Sequence, residues 1–441
     1  MSKMKDSGVQ WIGKIPSNWI VNRLRYNCNF KTGGTPPDKF GINDKGDGYP
    51  WITAPDMSDR YVLKTFNQYI SQDAVRICNY KLFPKHSILL VCIASVGKIG
   101  YTLEETYSNQ QITALMPNKN CFSKYLLYLM SAYSNELVKD ASNSVVPIVN
   151  TQYLLNISCC IPKMQEQKLI ADFLDETVDT IDNIICDLNN QIEILNKYKK
   201  QLISEIVTRG LNKNVKMIDS EIEWIGRIPE HWNIKLIKNI CSLKGRIGWE
   251  GLTKDEYISE GPTLITGINF DNGSINWDSC EHVSEWRYNQ DKSIQIKNKD
   301  LLITKDGTVG KVAIVKDCPE KVTLNSGVLL FRPLNNEYIE KYLYYVLLSN
   351  EFWHWFEIEN IGNTTIIHLY QNRFAKFKLA LPPIDEQKEI ANYLDKKCSE
   401  IDVILNSKTK QKEQMEQYKK SVIYEYVTGK KRVEGAVELY G

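Results

Sequence analysis

Two Gly-Lys pairs, Gly97-Lys98 and Gly310-Lys311, stand 213 positions apart in near-copies of one hexapeptide, SVGKIG at 95–100 and TVGKVA at 308–313. Glycine beside lysine lets a backbone approach a phosphate while an ammonium neutralises it. A nucleotide-hydrolysing loop would also need a glycine six positions before the lysine and a Ser or Thr after it. Cys92 and Lys305 occupy the first place, Ile99 and Val312 the second, so this chemistry is excluded. The five histidines (86, 231, 282, 354, 368) never form an H-E-x-x-H zinc site. No N-P-P-Y or D-P-P-Y tetrapeptide is present to hold an extruded adenine. Acids beside lysines, such as Glu166 and Lys168, fall in helical stretches where a solvated face accounts for them. The residues compose no catalytic constellation, and a non-catalytic chain without a metal or cofactor of its own is expected.

Composition narrows the classes further. The 441 residues are 43% hydrophobic and 24% charged, enough for two or more domains with separate cores. A formal net charge of +2 argues against a bulk polyanion binder, so any nucleic-acid surface has to be local. Eleven cysteines form no C-x-x-C pair, and Cys159-Cys160 are adjacent, a spacing unsuited to zinc or to an ordinary bridge. With no secretory signal in the opening residues, reduced thiols and a cytoplasmic location are expected. No apolar run approaches the roughly 20 residues needed to span a bilayer, so no membrane association is expected.

The elements that position the Gly-Lys pairs are themselves written twice. WIGKIPSNW at 11–19 returns as WIGRIPEHW at 224–232, KYLLYLMS at 124–131 as KYLYYVLL at 341–348, and IPKMQEQKLIADFLD at 161–175 as LPPIDEQKEIANYLD at 381–395. Tyr198-Lys199-Lys200 recurs as Tyr418-Lys419-Lys420. The offset drifts only from 213 to 220, which marks a tandem duplication. Residues 28–85 and 241–298, nearly equal in length, share little. Duplicated frames around divergent inserts imply two sites of one kind with different specificities.

Each half opens with strand-like runs, SILLVCIAS at 87–95 and DLLIT at 300–304, followed by a helix expected to be capped near Ser123 in one copy and to begin near Asn336 in the other. Trp11, Trp19, Trp224 and Trp232 are expected to dock each globule on helix ends, and Trp353-His354-Trp355 to lie in a packed helix. Each half closes with a long heptad helix. Leu174, Ile181, Leu188, Leu195 and Leu202 recur every seven, with Val178, Ile185 and Ile192 completing the stripe. The second stripe keeps Leu394, Ile401, Leu405, Met415 and Val422 but admits Lys408 and Lys412. Antiparallel pairing of the helices, each about 65 Å at 1.5 Å per residue, is the economical way to bury both stripes. It returns the chain end toward Trp11, whose preceding KMKDS resembles the linker KMIDS at 216–220.

The expected architecture is therefore two α/β (α+β) globules, at 1–163 and 211–383, separated by two long antiparallel helices at 164–210 and 384–430, with a tail at 431–441. The coiled coil makes the whole pseudo-two-fold and pseudo-circular. Duplex DNA has a local two-fold too, and proteins that match it read two half-sites at a fixed separation. Two readers with different inserts would recognise an asymmetric, bipartite sequence around an unread spacer.

Taken together, the paired W-I-G-x-I-P-x-x-W openings, the paired P-x-x-x-E-Q-K-x-I-A-x-x-L-D helix starts and the globule–helix–globule–helix order resemble the specificity (S) subunit of type I restriction–modification enzymes. The resemblance covers essentially the full length. It implies target-recognition domains and spacer helices on which two methyltransferase (M) subunits assemble, with restriction/translocase (R) subunits outside. It also implies adenine-N6 methylation by those partners, which would carry S-adenosylmethionine, ATP and magnesium. Lys408 and Lys412 depart from an apolar seam and would meet a partner or DNA phosphates.

Candidate double-stranded DNA contacts follow from residue type. Lys31, Thr32, Gly33, Gly34 and Thr35 face Lys244, Arg246, Gly248 and Trp249 in the alignment of the halves, combining close backbone approach, hydroxyls and cations able to read guanine or clamp phosphate. The alternative is two ordinary turns. Ser95, Gly97 and Lys98, with Lys305, Asp306, Gly307 and Lys311, lie in the repeated loop and are expected at the DNA backbone, the alternative being plain hairpin turns. Asn143-Ser144 and Asn363-Thr364 precede the long helices and offer amide and hydroxyl contacts. A stand-alone bipartite DNA-binding regulator would show the same features without methyltransferase partners, and a coiled-coil adaptor without DNA would suit the near-neutral charge.

Overall fold

The computed structural model describes residues 3–57, 60–141, 147–246, 252–360 and 368–433. The chain divides into a terminal unit, residues 1–189 with 409–441, and a central unit, residues 190–408. Both long helices cross this division, the first running Met164–Arg209 (46 residues) and the second Ile384–Val427 (44 residues). Among the described residues no helix is long and apolar enough to cross a membrane.

In the terminal unit a five-stranded sheet carries the repeated hairpin. Its order is Cys28–Thr32, Ile112–Pro117, Ile88–Val91, Ile99–Thr102, Val62–Leu63, antiparallel except for the last pair. The central strand Ile88–Val91 is buried on both faces. Ile88 and Leu90 enter the core that holds the helix Ser123–Ala141, whereas Leu89 and Val91 enter a second core with Ile52, Phe83 and Ile112. This is why that stretch reads as an unbroken apolar run rather than an alternating one. A smaller four-stranded sheet, built around Tyr49–Ile52 and Tyr107–Ser108, forms within the divergent insert and its return.

The central unit repeats the plan. Its four-stranded sheet runs Cys241–Lys244, Val328–Pro333, Leu301–Thr304, Val312–Ile314, and Leu301 and Ile303 face one core while Leu302 faces another. The helix anticipated near Asn336 begins at Glu340, because Gln387 Oε1 accepts the amide of Ile339 at 3.0 Å and holds the residues before it in another conformation. It also stops early, at Leu348. Ser349 caps a new helix, Asn350–Glu359, by accepting the Phe352 amide at 3.4 Å. Trp355 in that helix is 1% exposed, as expected for a packed face.

Within each unit, halves of the two long helices lie antiparallel. Phe173 meets Tyr426 at 4.4 Å between ring centroids in the terminal unit, and Asp182, further along the first helix, meets Lys419, earlier in the second, at 2.7 Å. In the central unit Lys199 meets Asp402 at 2.6 Å. Of the anticipated stripe, Leu174, Val178, Ile181, Leu188, Leu202, Leu394, Ile401 and Val422 are buried. Ile185, Ile192, Leu195, Leu405, Met415, Lys408 and Lys412 are half-buried. The expected closure is present in the terminal unit: Lys430 Nζ donates to the Ile12 carbonyl at 2.6 Å and Tyr424 Oη to that of Trp11 at 2.9 Å.

Candidate nucleic-acid interface

The duplicated motifs build one lock twice. Tyr125 Oη donates to the carbonyls of Cys160 (2.7 Å) and Val427 (3.1 Å); Tyr342 Oη does the same to Ala380 (2.8 Å) and Val207 (3.1 Å). Gln167 Nε2 donates to Asn120 and Pro162, both at 3.0 Å, while its Oε1 accepts the Phe122 amide at 2.7 Å. Gln387 reproduces this with Glu337, Pro382 and Ile339. Asp175 takes Lys124 and Tyr128, and Asp395 takes Lys341 and Tyr345. The Gln, Asp, Lys and Tyr of the repeated motifs are thus spent on seating a globule against helix ends, where buried polar groups have to be paired. Burial drives the phenols of Tyr125 and Tyr342 well above their ordinary range, so both stay neutral donors. Burial likewise pushes the thiols of Cys121, Cys160 and Cys241 up to about 12, leaving them unreactive packing groups.

The four repeated tryptophans belong to the same seating. Trp19 and Trp232 are 1% and 4% exposed, Trp11 packs on Tyr133 at 4.9 Å, and Trp224 Nε1 donates to Lys378 at 3.1 Å. Trp232 Nε1 and His231 Nε2 both reach Glu386 Oε2, at 3.0 and 2.9 Å. In the terminal unit the equivalent Glu166 instead receives Arg432 at 2.6 Å from beyond the second long helix, in an ion pair almost wholly buried. The motifs did not announce Arg432; a lone arginine near the chain end carries no signal of its partner.

The candidate contact residues separate into two groups. Arg246 is 1% exposed, with Nε donating to Leu324 O at 2.9 Å and Nη2 to Thr323 Oγ1 at 3.2 Å. A guanidinium satisfied inside a core cannot read guanine, so Arg246 is a packing residue. Lys31 Nζ donates to the Leu82 carbonyl at 3.2 Å, and Thr32 Oγ1 lies 3.1 Å from Thr113 Oγ1, so both serve the sheet. Gly33 is needed for packing: a Cβ there would sit 2.2 Å from the Asn109 carbonyl oxygen. Gly34 lies beside the Tyr80 ring, and Thr35 is exposed. Asn143, Ser144, Gly248, Trp249, Asn363 and Thr364 lie outside the described residues.

The second group stays available. Ser95 and Lys98 are exposed and Gly97 half-buried on the hairpin between Ile88–Val91 and Ile99–Thr102. In the central unit Lys244 and Gly307 are exposed, and Lys305 and Lys311 half-buried. Asp306 is held by His368 Nδ1 at 2.5 Å. Exposed or half-exposed lysines at these positions can neutralise backbone phosphates. Among the described residues no group of three or more His, Cys, Asp or Glu side chains is placed to hold a metal ion.

Comparison with known proteins agrees with this frame. A family profile described as the type I restriction modification DNA specificity domain matches residues 16–194 and 229–422. The chain is 26% identical over 427 residues to the type I restriction enzyme MjaVIII specificity subunit of Methanocaldococcus jannaschii, covering 95% of this chain and 94% of that one. It is 21% identical over 410 residues to the EcoBI specificity subunit of Escherichia coli, covering 90% and 83%. A solved chain from work on complex assembly and conformational transition of the type I R-M system shares the fold with a TM-score of 0.69 at 12% identity, over 94% of this chain and 98% of that chain.

Proposed function

Because the chain belongs to the type I restriction–modification DNA specificity family, we propose that it is the non-catalytic subunit that reads DNA sequence for a type I complex. In this reading each unit contacts one half of an asymmetric, bipartite target, and the halves are separated by a spacer of fixed length. Two methyltransferase subunits assemble on the chain and methylate adenine N6, and restriction/translocase subunits join outside them. S-adenosylmethionine, ATP and magnesium belong to those partners.

One observation carries the reading: identical seating locks surround inserts that differ. Tyr125 and Tyr342, Gln167 and Gln387, and Asp175 and Asp395 repeat atom for atom, whereas residues 28–85 and 241–298 share little sequence. Equal mounting with unequal surfaces is what two readers of different half-sites require. Sequencing of modified bases in the host genome tests it. N6-methyladenine should cluster in one gapped motif and vanish when this chain is deleted. Methylation that persists after deletion contradicts the proposal.

A further inference from the structure

Inside the two inserts, which otherwise share little, one short stretch is written twice. Ile52-Thr53-Ala54-Pro55-Asp56 and Ile265-Thr266-Gly267-Ile268-Asn269 stand 213 positions apart. Both fold into the same capped turn. The amide and hydroxyl of Thr53 donate to Asp56 Oδ2 at 2.7 and 2.6 Å, and those of Thr266 donate to Asn269 Oδ1 at 2.7 and 2.8 Å. The strand entering each turn is paired in parallel with a later one, Ile52 beside Ser108 and Ile265 beside Leu324. Ile52 and Met57 hold the terminal turn in one core, and Ile265 and Phe270 hold the central turn in another. Each cap is braced again: Asn67 Nδ2 donates to Asp56 Oδ1 at 2.6 Å, and Asn269 Nδ2 donates to the Ser279 carbonyl at 2.7 Å. The polar side chains of the turn are thus taken up within the fold. The one exposed residue of each five is the tip, Pro55 in one copy and Ile268 in the other. Ile268 is 79% exposed, more than any other large hydrophobic side chain among the described residues.

We propose that Ile268 is a specificity-determining residue of the central unit, making apolar contact with a thymine methyl group in the major groove. This rests on the function proposed above and adds to it one residue and the base it reads. An isoleucine side chain has neither donor nor acceptor, and among the base edges of the major groove only thymine offers a methyl group. A single apolar side chain on a surface is ordinary. A tip carried on a braced turn that is built twice is held at a fixed place, as discrimination between bases requires. That place adjoins the repeated hairpin. A Cβ on Gly267 would stand 3.4 Å from Thr304 Cγ2, where the hairpin bearing Lys305 and Lys311 begins. In the terminal unit Met57, the residue after the turn, lines one cleft with Gly97 and Lys98. Lysines that neutralise phosphates fix the register of a duplex, and a neighbouring tip is then placed to meet base edges. Pro55 fills the same position with a ring in place of a branched chain, so equal turns present unlike tips.

The test uses the full-length chain, its Ile268→Ala variant and duplexes selected from random sequence by the parent. Because Ile268 is exposed, the substitution should leave the urea melt unchanged. Each thymine of the selected motif is replaced in turn by uracil, which lacks only the methyl group. For the parent, one such replacement, confined to one half of the motif, should weaken binding about fourfold, the factor that one buried methyl group carries. Ile268→Ala should weaken binding to the thymine duplex at least as much and lose nothing further with uracil at that position. Its salt slope should match the parent's, because isoleucine neutralises no phosphate. The assignment is overturned if no uracil replacement weakens the parent, or if the uracil loss persists in Ile268→Ala. Uniform weakening of every duplex by the variant, with no sensitivity to uracil, marks a wedge between base pairs and also overturns it. A parent chain that selects no gapped motif contradicts the proposed function, and the assignment falls with it. A gapped motif that Ile268→Ala binds as the parent does overturns the assignment alone.

Discussion

The terminal and central units share the Tyr, Gln and Asp hydrogen bonds that seat their globules but treat the helix after the repeated hairpin differently. Ser123–Ala141 runs unbroken for 19 residues in one, whereas Ser349 divides its counterpart into Glu340–Leu348 and Asn350–Glu359 in the other. The break turns Trp353 onto Gly310 and ties the chain to the first long helix, where Ser204 Oγ accepts the Asn350 amide at 2.8 Å. The comparison separates two kinds of residue. The Tyr, Gln and Asp of the seat are constrained by buried polar pairing, and both copies keep them. Those above the seat are free to change so long as each globule fills its own core.

The two units should break by different amounts where their seats differ. Arg432→Ala strands Glu166, 1% exposed, as an unpaired buried charge and should cost about 3–5 kcal/mol in a urea melt. His231→Ala at the equivalent seat leaves Glu386 bonded to Trp232 and should cost about 1 kcal/mol or less. Where the seats match, the losses should match. Gln167→Ala and Gln387→Ala each abandon three hydrogen bonds and should cost about 2–3 kcal/mol apiece. A gap between them larger than about 1 kcal/mol would show that the locks are not equivalent. Trp353→Ala should cost about 2 kcal/mol, while Glu136→Ala, at the aligned position of the other unit, should stay within about 0.5 kcal/mol. Lys31→Ala probes the contact list rather than the seat. Loss of its bond to Leu82 should lower stability by about 1 kcal/mol and leave the salt dependence of DNA binding unchanged.

Local pattern carried the frame. Heptad spacing marked two long helices, because an apolar stripe at that period asks to be buried along one face; the second ends at Val427, three residues short of the expected 430. The break at Ser349 was not anticipated, since the apolar run across it reads as one helix and the Ser349 cap on the Phe352 amide shows only in the structure. The candidate contact list was much less legible. Lys31 and Arg246 look available in sequence, yet each donates to a carbonyl 51 or 78 positions away. Nothing short of strand order reveals such distant acceptors. The buried pair of Arg432 and Glu166 is hidden for the same reason, being separated by 266 positions.

The central claim is that two independent readers sit on equivalent mounts. Selection of bound fragments from random duplex, with the parent chain and with a chimera whose residues 28–85 come from a relative of the same frame, tests it most directly. The parent should enrich one gapped, asymmetric motif, and the chimera should alter one half of it while keeping the other half and the gap. Enrichment of an ungapped motif, or a change in both halves at once, would contradict the account.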